Sequence, residues 1–225
     1  MIQYKRDIER PTAETLALFQ DLPSATVSDI LGPGHVLAPR IRPVRSGLRI
    51  LGPALTLKLP PRDNLGMHFA IKLAEPGDVI VADQEGTMLG SPVGEIIATA
   101  AKAKGVAGII IDGVVRDIAC LREMDFPVFA IGAYSQQCIK EGPATVNLPV
   151  SCGGVVVHPG DIILGDDDGV VVIPAARAVE VAKQTREKIT SEHKRLAAIR
   201  AGDIYPSWLD DTLKKVGLHE IPGGK

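Results

Sequence analysis

The sequence contains few aromatic residues: Phe, Trp and Tyr together account for 4% of its 225 residues. Hydrophobic residues of all kinds reach 45%, which is enough for one domain with a buried core and an appendage. Because aromatic side chains are scarce, the core must consist mainly of Val, Ile, Leu and Ala. This composition is typical of parallel or mixed sheets covered by helices, and we therefore expect an α/β fold.

Cysteine is also scarce. The three cysteines, Cys120, Cys138 and Cys152, are odd in number and widely separated, and no C-x-x-C pair occurs. This pattern excludes a zinc ribbon and a thioredoxin-like redox motif. We predict three reduced thiols in a cytoplasmic protein.

The sequence lacks both a surplus of positive charge and a long hydrophobic run. Its formal net charge is −2 and its isoelectric point is near 6.2, so charge alone does not indicate a nucleic-acid partner. No apolar run approaches the ~20 residues that a membrane span requires. Residues 1–7 carry no apolar signal-peptide region. We expect a protein that binds neither nucleic acid nor membrane.

Hydrophobic periodicity predicts alternating strands and helices in the first part of the chain. The predicted strands are 54–59, 78–82, 107–111 and 127–131, and the predicted helices are 65–74 and 94–104. Consecutive strands joined by a helix are normally parallel, with a right-handed crossover. This part of the sequence therefore predicts β/α crossover units.

Shorter strands follow from about residue 146. The runs 155–157, 162–164 and 170–173 are separated by Pro-Gly-Asp and by Gly-Asp-Asp-Asp-Gly. Short strands separated by such turn residues indicate hairpins. The chain therefore combines crossover units with antiparallel strands.

A charged helix is predicted from Pro174 to about Arg200, with proline in its first turn. Its apolar positions are few and largely spaced by seven, which favours packing against another subunit. They are Val179, Ala182, Ile189 and Leu196. We predict one domain of residues 1–174 and a C-terminal helical arm of residues 175–225.

A cluster of charged residues follows the most hydrophobic strand. Residues 107–111 are predicted to form a buried strand that ends at Asp112, and Arg116 and Asp117 come directly afterwards. Burying charges is costly unless they are paired or liganded. Ligands of α/β sheets usually bind at the carboxyl ends of strands. We therefore predict a functional site in this run.

Arg116 and Asp117 allow two interpretations. The Arg116 guanidinium suits a planar carboxylate through two parallel hydrogen bonds, and Asp117 with waters suits Mg²⁺ or Mn²⁺. If the local chain is extended, the two side chains should point in different directions. Alternatively, the two residues form a surface ion pair, or Asp117 caps a helix over residues 118–124.

A glycine-containing segment, residues 90–97, precedes the Ala-rich helix. The first N–H groups of a helix have no internal partner and favour an anion, so this segment is a candidate cradle for a carboxylate or phosphate. The alternative is an ordinary loop before an ordinary helix. Glu95 lies in the first turn, where it could hold a water as a general acid or base, or only complement the helix dipole.

Twenty residues separate Glu95 from the Arg116-Asp117 pair. This spacing resembles the D-x20-R-D motif of the class II pyruvate aldolases, which belong to the RraA-like superfamily. Other segments resemble the family in the same order, namely 25–29, 52–56, 76–80, 94–101, 105–117, 126–129, 153–154 and 159–170. One departure is Glu95 itself, because the motif has Asp there and the carboxylate is now longer by one methylene.

The resemblance implies an RraA-like swivelling domain with three layers, β/β/α, and a helical C-terminal arm. It implies divalent-metal-dependent cleavage of 4-hydroxy-4-methyl-2-oxoglutarate or 4-carboxy-4-hydroxy-2-oxoadipate to pyruvate and a second 2-oxo acid. Oxaloacetate decarboxylation is expected as a side activity. The family also implies a homotrimer or a homohexamer.

The same resemblance implies roles for individual residues. Asp117 would hold the Mg²⁺ or Mn²⁺, and Glu95 would orient a water that exchanges a proton with substrate. Arg116 and the backbone amides at the helix start would bind the pyruvyl group. The substrate-binding set is then Gly94, Glu95, Ile96, Ile97 and Arg116. Because active sites of such enzymes lie between subunits, Glu187 or Glu192 of a neighbouring copy is a candidate to complete the site.

Two other functions stay open. The first is a non-catalytic regulator of ribonuclease activity of the RraA type. Such regulators have glycine in place of Glu95 and lack an arm like residues 174–225, and both differences favour the enzyme. The second is a dedicated oxaloacetate decarboxylase that uses the same site.

The remaining charged residues are predicted to be structural. Lys58 is expected on the solvent face of a strand rather than as a Schiff-base lysine. Residues 166–168 favour a hairpin turn over a metal site. The arginines at 40, 42, 45 and 49 favour a solvated strand or loop over steering of a polycarboxylate substrate. The five histidines show no ligand spacing.

Overall fold

The computed structural model describes residues 1–219. The strands are β1 (Ile2–Tyr4), β2 (Arg42–Pro43), β3 (Ile50–Lys58), β4 (Val79–Thr87), β5 (Gly108–Val115), β6 (Val128–Ala130), β7 (Gly132–Ala133), β8 (Ala144–Val146), β9 (Val150–Cys152), β10 (Val155–Val157), β11 (Ile162–Asp166) and β12 (Gly169–Ile173). The helices are α1 (Ala13–Ala17), α2 (Ser24–Leu31), α3 (Leu65–Leu73), α4 (Glu95–Ala103), α5 (Ile118–Glu123), α6 (Ala178–Arg200) and α7 (Leu209–Val216).

The central sheet has the strand order β1-β8-β3-β4-β5-β6-β2. Strands β3 to β6 are parallel neighbours, and α3, α4 and α5 connect them in turn. Strands β11 and β12 form a hairpin, and β11 pairs antiparallel with β3. Strands β9 and β10 form a separate hairpin. The predicted combination of crossover units and antiparallel strands is therefore confirmed.

Side chains alternate between two hydrophobic clusters on the two faces of the sheet, because successive residues of a strand point in opposite directions. On one face, Ile80 and Ile109 pack with residues of the helices, including Met67, Ile97 and Leu121. On the other face, Val79 and Ile110 pack with the short β strands, including Val155 and Ile163. The layers are β, β and α, as predicted for the RraA-like α/β fold.

Strand β5 continues past the position where the sequence predicts its end. Asp112 lies inside the strand with its side chain 3% exposed. Its carboxylate accepts hydrogen bonds from Arg40 Nε (3.0 Å), Arg40 Nη2 (2.7 Å) and the Gly153 N–H (3.0 Å). The interpretation of Asp112 as the end of the strand is wrong, because this pairing lets a charge remain within the sheet.

Arg40→Met is expected to lower the free energy of unfolding by about 2 kcal/mol, because it leaves the buried Asp112 carboxylate without its charged partner. Half of the Arg40 side chain is exposed, which keeps the expected loss below that of a fully buried pair. Urea denaturation of the variant and the wild type measures this loss of unfolding free energy. Arg45→Met is the matched control, since Arg45 is exposed. Equal stability of the two variants would contradict this structural role.

The first compact unit extends to residue 185, beyond the predicted boundary at 174. The first two turns of α6 bury one face, formed by Ala178, Val181, Ala182 and Thr185. Val179, predicted to lie in the packing stripe, is 67% exposed. The second unit begins at Arg186 and contains the rest of α6 and α7. Among residues 1–219, no helix is both long and apolar enough to cross a membrane.

Candidate active site

A cavity of about 300 Å³ lies where β5 ends and α4 begins. The bridge between Val93 and Val115 brings these two segments together, and the Arg116 N–H donates to the Val93 carbonyl (2.9 Å). The lining residues come from three places: α3 and its start, the segment before and into α4, and the loops after β5 and β7. They are Asn64, His68, Ser91, Pro92, Gly94, Ile96, Ile97, Arg116, Asp117, Gln137, Cys138 and Lys140.

Asp117 has a left-handed backbone conformation, with φ of 56° and ψ of 40°. This conformation is uncommon for residues other than glycine, although Asp adopts it more readily than most. It turns the carboxylate back toward the preceding residue, so that Oδ1 accepts a hydrogen bond from Arg116 Nε at 3.1 Å. The chain at this point is not extended, so the condition for diverging side chains is not met, and the two residues form the ion pair that the sequence left open as an alternative.

The Asp117 carboxylate stabilises a different helix from the one that it precedes. Asp117 occupies the N-cap position of α5, yet its side chain makes no capping bond there. Its Oδ2 instead accepts the N–H of Glu95, the first residue of α4, at 3.1 Å. Asp117 therefore joins the end of β5 to the positive end of α4.

Gly94 allows this arrangement because it has no side chain. A Cβ atom on Gly94 would lie far inside van der Waals contact with Asp117 Oδ2 and 2.9 Å from Arg116 Cγ. The first intrahelical hydrogen bond of α4 runs from the Ala98 N–H to the Gly94 carbonyl. The amides of Ile96 and Ile97, which line the cavity, precede that bond and so have no partner within the helix.

Glu95 is exposed, and its side chain is not among the described residues that line this cavity. It lies beside Cys120 on α5, where a hydrogen bond to the Glu95 carboxylate is the main cause of a raised pKa of the Cys120 thiol. The other predicted site residues, Gly94, Ile96, Ile97, Arg116 and Asp117, share the cavity. Glu95 contributes to the same region through its backbone N–H, which donates to Asp117 Oδ2.

Several lining residues were not found from the sequence. Lys140 and His68 bring a cation and an imidazole to the cavity, and burial, followed by the nearby Lys140 charge, lowers the pKa of His68. The Asn64 Oδ1 atom is buried and has no hydrogen-bond partner within the described chain. Buried polar atoms are normally satisfied, so an unpartnered acceptor in a cavity wall indicates a place for a donor from a ligand or water.

Cysteine and lysine nucleophiles fit this structure poorly. Cys138 lines the cavity, but burial raises the pKa of its thiol to about 11, which disfavours the reactive thiolate. Lys58 lines a different cavity of about 470 Å³ and pairs there with Glu85 (2.9 Å). Its hydrogen bond to Glu85 raises the pKa of Lys58, whereas a Schiff-base lysine needs a lowered one.

Few side chains in the described structure are placed to bind a metal ion. Within residues 1–219, no group of three or more His, Cys, Asp or Glu side chains is placed to hold an ion. Asp117, whose side chain is 32% exposed and lines the cavity, is a single carboxylate to which waters can be added. Mg²⁺ accepts such a set, because it usually keeps several waters and takes few protein ligands.

The acidic run at 166–168 forms the predicted turn. Asp166 ends β11, and Asp167 and Asp168 connect it to β12. Asp166 accepts hydrogen bonds from the Ser24 N–H and hydroxyl. Asp167 accepts hydrogen bonds from the Ser46 hydroxyl and the Gly47 N–H. These carboxylates anchor two neighbouring loops to the hairpin. In agreement with the prediction, all three cysteines are free thiols.

The chain belongs to the RraA-like family, since the family model described as "Aldolase/RraA" matches residues 24–172. A protein of Halalkalibacterium halodurans named "Putative 4-hydroxy-4-methyl-2-oxoglutarate aldolase" is 36% identical over 181 residues, covering 80% of this chain and 86% of that protein.

Two crystal structures have the same fold. One is an uncharacterized protein from Pseudomonas syringae, with a TM-score of 0.75 and 29% identity, covering 87% of this chain and 96% of that chain. The other is RraAS2 of Streptomyces coelicolor, described as an unusual member of the RNase ES inhibitor RraA protein family. It has a TM-score of 0.75 and 28% identity, covering 84% of this chain and 98% of that chain.

Proposed function

We propose that this protein is a class II pyruvate aldolase that cleaves a 4-hydroxy-2-oxo diacid to pyruvate and a second 2-oxo acid. The observation that carries the proposal is the Arg116–Asp117 pair, held against Gly94 at the first turn of α4 in the 300 Å³ cavity. The name of the H. halodurans relative, which includes 4-hydroxy-4-methyl-2-oxoglutarate aldolase, supports the same chemistry. 4-Carboxy-4-hydroxy-2-oxoadipate is the other substrate of this class that we propose.

Asp117, together with waters, would hold Mg²⁺ or Mn²⁺, which supplies Lewis-acid stabilisation of the enolate charge when bound. Arg116 uses Nε for Asp117, and its two terminal nitrogens are left to bind the pyruvyl carboxylate as a fork. The unpaired amides of Ile96 and Ile97 add donors at the positive end of the helix. These groups stabilise negative charge where it develops as the carbon–carbon bond breaks.

Proton transfer is proposed for Glu95, because this residue is exposed and lies between Gly94 and Ile96, which both line the cavity. It would orient a water that exchanges a proton with the C4 hydroxyl or with the enolate carbon. The same carboxylate raises the pKa of the nearby Cys120 thiol on α5. A homotrimer or homohexamer, with Glu187 or Glu192 of a neighbouring copy completing the site, belongs to the same proposal.

The cavity also suits a second acidic group. Lys140 is a cation with no carboxylate partner among the residues that line the cavity, and Asn64 and His68 are polar neighbours. A diacid would place its distal carboxylate near Lys140 and its pyruvyl carboxylate near Arg116. This charge arrangement favours a dicarboxylate or tricarboxylate over a neutral hydroxy ketone.

The test is pyruvate release, coupled to lactate dehydrogenase, from 4-hydroxy-4-methyl-2-oxoglutarate, 4-carboxy-4-hydroxy-2-oxoadipate and oxaloacetate. Each substrate is assayed with Mg²⁺, with Mn²⁺ and with EDTA. We expect EDTA-sensitive cleavage of at least one hydroxy acid. We also expect decarboxylation of oxaloacetate, because both reactions pass through the pyruvate enolate, but at a lower rate. Turnover of oxaloacetate alone would instead indicate a dedicated decarboxylase.

A non-catalytic regulator of ribonuclease activity is the second candidate, favoured by the structural similarity to RraAS2. Glu95 distinguishes the two candidates, because regulators of this type have glycine in its place. Absence of turnover with every substrate and metal, in correctly folded protein, combined with tight binding of a ribonuclease, would favour the regulator.

A further inference from the structure

A buried carboxylate, that of Asp63, joins two of the segments that line the candidate active site. Asp63 lies just before α3 and is 1% exposed. Its Oδ1 atom accepts the Leu65 N–H (2.9 Å), and its Oδ2 atom accepts the N–H groups of Glu141 (2.6 Å) and Gly142 (2.9 Å). One carboxylate therefore ties the start of α3 to the loop between β7 and β8.

The charge of Asp63 makes this connection strong. Burying a carboxylate is costly unless hydrogen bonds replace its water shell, and the three described donors to Asp63 are all backbone N–H groups. Hydrogen bonds to an ionised acceptor are shorter and stronger than those between neutral groups. The loop backbone is therefore held in a defined position against α3.

Backbone hydrogen bonds extend the same connection on both sides of Asp63. The Ile139 N–H donates to the Arg62 carbonyl (2.8 Å), and the Asn64 N–H donates to the Ile139 carbonyl (3.1 Å). Asp63 and Ile139 also form a parallel bridge. Lys140 follows Ile139, so its backbone is fixed before it by these bonds and after it by the Asp63 carboxylate.

The residues that Asp63 joins are polar residues of the active-site cavity. Asn64 and His68 come from the start of α3 and from α3 itself, and Lys140 comes from the loop. Asp63 itself does not line the cavity. Arg116 is held by a different connection, between the end of β5 and the segment before α4. Loss of the Asp63 contacts would therefore displace Lys140 without displacing the proposed pyruvyl site.

We propose that Asp63 is a positioning residue for recognition of the distal acid group of a 2-oxo diacid. It holds the segment that carries Lys140 at a fixed separation from Arg116, and a diacid must match that separation to use both cations. The inference rests on the placement of the distal carboxylate near Lys140 in the proposed function. Asp63 touches neither substrate nor metal and acts through Lys140 and Asn64.

Isothermal titration of the full-length protein with 2-oxoglutarate and with pyruvate, in Mg²⁺ and at constant ionic strength, tests the proposal. 2-Oxoglutarate has both carboxylates but no C4 hydroxyl group, so it cannot undergo retro-aldol cleavage, and pyruvate has the pyruvyl carboxylate alone. We expect the wild type to bind 2-oxoglutarate about tenfold more tightly than pyruvate, the order of one charge-assisted hydrogen bond.

Asp63→Asn should remove about tenfold of the affinity for 2-oxoglutarate and change that for pyruvate by less than about twofold. One amide oxygen cannot accept all three N–H groups, so the loop or the start of α3 is released. With a cleavable hydroxy diacid, the variant should raise KM and retain kcat, because the lost interaction is with the distal group. A merely structural role would instead lower the active fraction, and therefore kcat, at unchanged KM.

A double-mutant cycle tests whether Asp63 acts through Lys140. Lys140→Met replaces an exposed side chain and should weaken 2-oxoglutarate binding as Asp63→Asn does. The double variant should lose little more than Lys140→Met alone, since residues that act through one contact are not additive. Asp63→Glu, which keeps the charge on a longer side chain, should show the same selective loss and provides the comparison if Asp63→Asn does not fold.

Asp78→Asn is the matched control. Asp78 is also a buried carboxylate, which accepts the Glu75 N–H (2.8 Å) and pairs with Arg10 (2.8 Å), but it precedes β4 and lines no cavity described above. Its loss should lower stability and leave both affinities unchanged.

Three results would overturn the proposal: no preference of the wild type for 2-oxoglutarate, an equal loss of both ligands in the Asp63 variants, or additive losses in the cycle. Selective loss of 2-oxoglutarate binding in a protein that cleaves no hydroxy acid would support the role of Asp63 and contradict the aldolase assignment. The two proposals can therefore fail separately.

Discussion

Asp117→Asn is expected to reduce kcat/KM for Mg²⁺-dependent pyruvate release by at least about 10³-fold. The substitution removes the carboxylate charge that would hold the metal while keeping the size of the side chain. Asn tolerates the left-handed conformation found at this position, and its amide oxygen can still accept the Glu95 N–H. The fold should therefore be retained, and the loss should be in the chemistry. Steady-state kinetics with varied Mg²⁺ measure it.

The matched control is Asp125→Asn, which removes an exposed carboxylate that lies near α5 in sequence and lines none of the cavities described above. It should retain wild-type kinetics and the same dependence on metal concentration. If Asp117→Asn kept more than a tenth of the activity together with its metal dependence, the assignment of Asp117 to the metal would be wrong. That outcome would leave the aldolase assignment to be decided by the substrate assay alone.

The strands and helices that position this site follow from local sequence patterns. The predicted helix 65–74 corresponds to α3 (Leu65–Leu73), and the predicted helix 94–104 corresponds to α4 (Glu95–Ala103). Hydrophobic periodicity is strong in these segments because one face of each helix packs on the sheet. The two predicted helices agree with the structure because the spacing of their hydrophobic residues is enough to show which face is buried.

The conformation of Asp117 could not be predicted in this way. Its left-handed φ is stabilised by contacts with Arg116 and with the N–H of Glu95, and Glu95 lies 22 residues earlier in the chain. A sequence pattern records no such long-range bond, so the sequence left three alternatives open: an extended chain with diverging side chains, an ion pair and a helix cap. Asp112 is similar, because its partner Arg40 is 72 residues away. In both cases, tertiary pairing decides where a charge lies.

The polar residues that line the cavity could not be predicted from the sequence, for a related reason. Lys140, Gln137 and Cys138 lie in a loop between β7 and β8 that has no hydrophobic period. His68 is on α3, and its place on the cavity side depends on how that helix packs on β3 and β8. Loops commonly carry functional residues on a rigid scaffold, but single loop residues give no signal in one sequence. The cavity therefore became visible only with the structure.

Gly94→Ala is expected to reduce kcat/KM by at least about 100-fold, the order of loss that follows from a displacement near 1 Å in an active site. The backbone at Gly94 is extended, with φ of −150°, so alanine adopts it without strain. The added methyl group would instead overlap Asp117 Oδ2 and approach Arg116 Cγ to 2.9 Å. Both side chains must move, and the bond that joins Asp117 to the first turn of α4 is lost.

The measurement for Gly94→Ala combines kinetics with direct binding of Mn²⁺, followed by electron paramagnetic resonance. We expect weaker Mn²⁺ binding and a lower kcat, since the methyl group displaces the carboxylate and the guanidinium together. Gly132→Ala is the matched control, because a Cβ there meets only Val114 Cγ1, at 4.0 Å. Wild-type Mn²⁺ affinity and activity in Gly94→Ala would mean that Asp117 can function away from this position. The close approach of Gly94 would then be a packing feature of the loop rather than a requirement of the site.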